Sequence, residues 1–167
     1  KASAVYQLNY NDYPHGDVTK LTKDDVPEAD ILCGGFPCQA WSHAGEMRGF
    51  ADPRGMFFFE IPRIAVLCRA KILLLENVPA LLAARNRSAF ATIIGALNAA
   101  GYEVQYKVID ACGWVPQSRR RLYLVCFRRD LRIAGFEFPS AEPCNLSVMD
   151  IAEPAERTAE CVQDPKG

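Results

Sequence analysis

Histidine is nearly missing from this sequence, with two among 167 residues, and no C-x-x-C pair occurs. No Cys/His set therefore stands at the spacing of a zinc site, and no metal is expected. A surplus of one charge is missing as well, since 19 basic and 20 acidic residues leave a formal net charge of -1. With no long block of lysine and arginine, bulk charge points to neither nucleic acid nor membrane, so any such function has to rest on local residues. No apolar run approaches the roughly 18 residues of a membrane span, and the opening KASAVYQLNYND has no apolar signal-peptide core. The expectation is a cytoplasmic chain without a membrane partner. Internal repeats and low-complexity tracts are also absent. Cysteine is the exception to this sparseness, with seven at 33, 38, 68, 112, 126, 144 and 161. The number is odd and most lie in apolar runs such as LCGG, VLCRA and LVCF, as buried free thiols do, so a disulfide framework is not expected.

Half of the residues are hydrophobic, enough for one domain with a core. EADILCGGF, residues 28 to 36, reads as a short buried strand stopped by two glycines. Residues 39 to 55, rich in Gly, Ser, Asp and Arg, read as a long mobile loop. From Phe57 to Ala70 the residues Ile61, Ile64, Ala65 and Cys68 share a helical face, with Pro62 opening or kinking the helix. KILLLENVP, residues 71 to 79, is a second strand, apolar on both faces, which argues for a parallel sheet covered by helices. Phe90, Ile93, Ile94 and Leu97 mark the clearest helix, with Ser88 as its expected cap and Gly101 as its end. Tyr102 to Val108 alternates as a half-buried strand, and after the turn GWVPQ a last strand runs from Arg121 to Phe127. The order gives an α/β fold, with a largely parallel sheet and a late antiparallel strand. Residues 1 to 134 are expected to form the domain, and the proline-rich residues 135 to 167 a linker or tail.

In such sheets a site lies beyond the carboxyl ends of the strands. Cys38 follows the first strand, and its neighbours are unlike those of a buried thiol. Pro37 fixes the backbone and lacks an N–H, Gly34 and Gly35 allow a close approach, and polar Gln39, Ser42 and His43 follow. The alternative is an ordinary structural cysteine. Glu76 ends the second strand, where a partly desolvated carboxyl can carry a proton near neutral pH, or can simply cap a turn or pair with an arginine. Arg119 and Arg121 enter the last strand on one face and suit a carbonyl oxygen or a phosphate; solvated charges are the bland alternative. A Cys38 and His43 pair invites a thiol-hydrolase reading, although spacing within a loop supports it only weakly. Asp17 is by itself a turn residue before a short strand.

Together, GGFPCQAWS around Cys38, LLLENV around Glu76 and QSRRRLYLV around Arg119 and Arg121 resemble the cytosine-5 DNA methyltransferases. GFADPRGMFFFEI and GDVTKL resemble two further segments of that family, and all five occur in family order over about residues 1 to 127. The resemblance implies a Rossmann-like methyltransferase fold, S-adenosyl-L-methionine as cofactor, duplex DNA as partner and a place in restriction-modification. It implies that Cys38 adds to carbon 6 of a flipped cytosine, that Glu76 meets ring nitrogen 3, and that Arg121 with Arg119 binds the exocyclic oxygen. Asp17, Val18, Pro37 and Phe57 would border the cofactor, while Gln39, Ser42 and Arg54 would meet DNA. The glycine-rich cofactor motif and the target-recognition domain of the family do not appear among these residues. Three expectations follow: a piece of an active methyltransferase, a half-enzyme completed by a complementing chain, or a non-catalytic module that keeps the fold.

Overall fold

The computed structural model describes residues 2–14, 16–40, 50, 52–140 and 147–152. Its chain divides into two compact units, Lys1–Ile109 with Arg121–Glu137, and Asp110–Arg120 with Phe138–Gly167.

The first unit is built on a sheet of β1 (Ile31–Gly35), β2 (Ile72–Asn77), β3 (Tyr102–Asp110) and β4 (Arg120–Arg128), in the order β1-β2-β4-β3. β1 and β2 run parallel in a register that pairs Gly35 with Glu76. β4 runs antiparallel to β2, pairing Glu76 with Tyr123 and Asn77 with Leu122. The sheet thus starts parallel and continues antiparallel, and the late strand lies inside the sheet between β2 and β3.

One face of the sheet carries the core. Leu73, Leu75, Leu122, Leu124 and Cys126 are fully buried there with Phe58, Ala65, Ile93 and Leu97. Two helices supply the covering side chains: α3 (Glu60–Leu67) buries Ile64 and Ala65, and α4 (Arg87–Ala99) buries Ile93 and Leu97. Pro62 opens α3 rather than kinking it, because within the first turn its missing N–H would have had no helical partner. Ser88 lies inside α4 and not at its start. Asn86 holds the cap position instead, and its amide is spent on the Ala80 carbonyl at 2.8 Å. Gly101 leaves the helix at φ 94, a left-handed turn that suits glycine. Tyr102 then enters the core and donates its hydroxyl to the Ala70 carbonyl at 2.7 Å, tying β3 to the turn before β2.

The buried character expected of the first strand is not found. Ile31 is 55% exposed, and Cys33, Gly34 and Gly35 are exposed too, because β1 is an edge strand with β2 as its neighbour. Leu74 on the same face of β2 is 41% exposed, so the two-sided burial read from ILLLE holds for β4, not for β2. The short strand expected at GDVTKL is a single 3-10 turn, Val18–Lys20, capped by Asp17. Ahead of it stands α1 (Ala2–Tyr10), and α2 (Pro53–Met56) precedes the Phe57–Phe59 turn that leads into α3.

In the second unit, Asp110 caps the turn Ala111–Gly113, and its carboxylate also accepts from the Arg119 amide at 2.9 Å and the Ser118 hydroxyl at 3.3 Å. The Ala111 amide donates to the Arg119 carbonyl, which closes the loop 111 to 119 upon itself. Farther on, Ser147 and Asp150 form a capping box on the one-turn helix α5 (Val148–Ile151), where the sequence suggested a linker.

Candidate active site

Phe36, Pro37 and Cys38 leave the carboxyl end of β1. Two buried anchors flank the thiol: Phe36, 6% exposed, packs edge-on against Phe58 at 5.1 Å, and Ala40 is fully buried. Between them Cys38 stays half-buried. The backbone is therefore anchored on both sides of a residue that itself stays half-buried. Cys126, by contrast, sits in the core, where burial pushes its thiol up to about 12 and holds it inert.

Next to this turn, the register of β1 and β2 sets Glu76 beside Gly35. A Cβ on Gly35 would lie 3.7 Å from Glu76 Oε2, so the carboxylate lies over the glycine that leads to the Cys38 turn. The other carboxylate oxygen, Oε1, meets Arg121 Nε at 2.7 Å, with side chains 40% and 24% exposed. Antiparallel pairing explains the meeting: Glu76 lies opposite Tyr123, and Arg121 is two positions along β4 on the same face. Cys38, Glu76 and Arg121 thus come from strand ends that the sheet holds side by side.

Asn77 completes this rim. It continues the buried face of Leu73 and Leu75, is 1% exposed, and donates its amide to the Phe36 carbonyl at 3.0 Å. Its oxygen accepts from the Val78 amide at 2.8 Å. Reading the sequence for chemistry passed over this residue, yet the alternation Leu73, Leu75, Asn77 puts it on the core face.

A cavity of about 340 Å³ is lined in part by Phe36 and Pro37. Val18, Pro37 and Phe57 line it, with Ile61, Ile64 and Leu75 as further apolar walls. Asp17 stands next to Val18, but its carboxylate is turned to Thr19, accepting from the amide at 3.0 Å and the hydroxyl at 2.7 Å. Those hydrogen bonds, with Lys20 adding to them, hold its carboxyl below the usual range. Glu60 also reaches the cavity and is paired with Arg63 at 2.7 Å. Arg63 in turn donates to the Leu21 and Val18 carbonyls, which holds Val18 at the cavity wall.

The remaining residues singled out from sequence divide four ways. Gln39 is exposed in the turn after Cys38. Arg54 grips Asp52, which is 4% exposed, through Nε and Nη2, with the shortest contact 2.6 Å. Arg119 belongs to the second unit, where its amide is held by Asp110. Ser42 and His43, with most of the expected loop, lie outside the described residues. Among the described residues no group of three or more His, Cys, Asp or Glu is placed to hold a metal, and no helix is long and apolar enough to cross a membrane.

The fold is that of solved methyltransferases. It matches the Entamoeba histolytica methyltransferase EhMeth with a TM-score of 0.62 at 17% identity, covering 87% of this chain and 46% of that one. It matches S. pombe Dnmt2 with a TM-score of 0.56 at 20% identity, covering 90% of this chain and 43% of that one. The likeness is then carried from fold to family by sequence. The model of the C-5 cytosine-specific DNA methylases matches residues 1–164, and the chain belongs to that family. Among curated relatives, the type II methyltransferase M.HhaI of Haemophilus parahaemolyticus is 37% identical over 99% of this chain and 51% of its own length. The type II methyltransferase M.BsuFI of Bacillus subtilis is 42% identical over 86% of this chain and 36% of its own. The chain spans about half, or less, of the length of these relatives.

Proposed function

We propose that this chain carries the nucleophilic half of a DNA (cytosine-5-)-methyltransferase that acts in the cytoplasm within a type II restriction-modification system. The observation that supports the reading is half-buried Cys38 on an anchored turn that follows Gly35, the register partner of Glu76, whose carboxylate pairs with Arg121. A cytosine flipped out of the duplex presents carbon 6 to Cys38, whose thiolate adds there and makes carbon 5 nucleophilic. Glu76 meets ring nitrogen 3 and gives or shares a proton there as negative charge builds in the ring, while Arg121 orients Glu76 and, with Arg119, meets the exocyclic oxygen. S-adenosyl-L-methionine, when bound, would supply the methyl group to carbon 5, its sulfur–methyl bond breaking and S-adenosyl-L-homocysteine leaving. Loss of the carbon 5 proton to water then re-forms the double bond between carbons 5 and 6 and expels Cys38 as thiolate.

The cavity supports the cofactor reading, since largely apolar walls that include Phe57 suit an adenine ring, and about 340 Å³ is the size of a small-ligand site. Val18, Pro37 and Phe57 would hold the adenosine from their places on the wall, and Asp17 from beside it. Gln39, Ser42 and Arg54 are proposed to meet the DNA strand, and Arg54 would exchange its grip on Asp52 for phosphate. Further polypeptide, in the same protein or in a complementing chain, would supply the glycine-rich cofactor motif and the recognition of base edges. The test is Cys38→Ser in the full-length enzyme, with radiolabelled methyl transfer to duplex DNA as readout. Transfer is expected to vanish, and transfer at the parent rate would refute the nucleophile.

A further inference from the structure

We infer that Asn77 is a positioning residue for Cys38, an inference that rests on the reading of Cys38 as nucleophile. A buried amide in an apolar face is costly unless its hydrogen bonds are made, and both ends of the Asn77 amide are engaged. The ladder of β1 and β2 ends at Gly35 and Glu76, where the β1 backbone turns away. The Asn77 side chain adds one more rung beyond that point by donating to the Phe36 carbonyl at 3.0 Å.

That carbonyl belongs to the peptide bond into Pro37, which has no N–H and a fixed φ. Holding the Phe36 carbonyl therefore fixes the plane of the Phe36 to Pro37 peptide, and with it the direction in which the chain delivers Cys38. The Phe36 ring is held separately, edge-on to Phe58. A single side chain thus ties the turn that bears the thiol to the strand that bears Glu76, one residue before it in sequence. Asn77 touches no reacting atom in this scheme; it acts through the backbone of the turn.

The test uses Asn77→Ser and Asn77→Asp, the second of which keeps an acceptor for the Val78 amide but loses the donor to Phe36. In the full chain, alkylation by iodoacetamide, in which the thiolate displaces iodide, is followed cysteine by cysteine through peptide mass mapping. Cys68 and Cys126, 2% and 0% exposed, report on intact folding. Loss of one such hydrogen bond should change the Cys38 alkylation rate by about tenfold while Cys68 and Cys126 stay protected. In the full-length enzyme kcat should fall by about tenfold or more with KM for DNA unchanged. Parent-like Cys38 reactivity and kcat in a folded variant would overturn the proposal. Exposure of Cys68 and Cys126 in step with Cys38 in both variants would overturn it too, by showing a purely structural role. If Cys38→Ser itself retains transfer, the nucleophile reading has failed, whereas selective alkylation of Cys38 still reports on the clamp.

Discussion

Replacing Glu76 with glutamine separates what the carboxylate does for chemistry from what it does for the fold. The substitution keeps the shape and removes the charge that meets Arg121 Nε at 2.7 Å. Because the Glu76 side chain is 40% exposed, its ion pair is screened by water and is worth no more than about 1 kcal/mol. For a chain of this size that amounts to a fall in Tm of about 3 °C, shrinking further in high salt. A group that shares a proton with the ring in the transition state is worth far more, about a hundredfold to ten-thousandfold in rate. Differential scanning calorimetry and single-turnover methyl transfer on the same preparation of the full-length enzyme would therefore diverge. The expected outcome is a nearly unchanged melting curve beside a transfer rate lowered by at least about a hundredfold. A rate within twofold of the parent would refute the catalytic placement of Glu76, and a Tm loss of the size of a core truncation would refute its treatment as a screened pair.

Phe58→Ala should cost about 3 to 5 kcal/mol, since Phe58 is fully buried and braces Phe36; urea unfolding measures it, and a cost below about 1 kcal/mol would count against the anchored turn. Backbone hydrogen bonds from Cys112 and Arg119 hold the Asp110 carboxyl below its ordinary 3.8. A lowered folded value means that the Asp110 contribution is present above 3.8 and is lost as pH falls through the folded value. Hydrogen exchange at the Arg119 amide should accordingly stay protected at neutral pH and open only in acid, and Asp110→Asn should remove that pH dependence. The isolated 167-residue chain should bind S-adenosyl-L-methionine weakly or not at all by calorimetry, since further polypeptide is proposed to complete the site; tight binding would overturn that part of the proposal.

Much of the fold was legible because the apolar runs are short and cleanly punctuated. Ile93 and Leu97 fall on the helical face that their spacing implies, and ILLLE is a strand in both descriptions. What sequence could not supply was lateral order. Apolar residues on both sides of β1 and β2 suggested a covered sheet, but burial depends on neighbours, and β1 lies at the edge. GDVTKL looked extended because Val and Thr favour strands, whereas the Asp17 carboxylate bonds to Thr19 and curls the chain into a turn. Glu76 and Arg121 were each visible as chemistry at a strand end, while their contact follows from the antiparallel insertion of β4 beside β2. Asn77 was visible only as part of LLLENV, without a role of its own, since its partner is a backbone carbonyl that the sequence does not identify.

The insertion of β4 between β2 and β3 also bears on when the site comes into being. Glu76 and Arg121 are separated by the whole of α4, β3 and the following loop, so their meeting closes a loop of about 45 residues at an entropic cost of about 3 kcal/mol. Local elements such as α4 can form without that closure, but the pair cannot. On a ribosome, a nascent chain would have its nucleophile turn and its helices early and would lack this ion pair until β4 emerged and slid in beside β2. The contact between Glu76 and Arg121 is then a signal that β4 has docked, and Arg121 joins Glu76 at the rim only at that step.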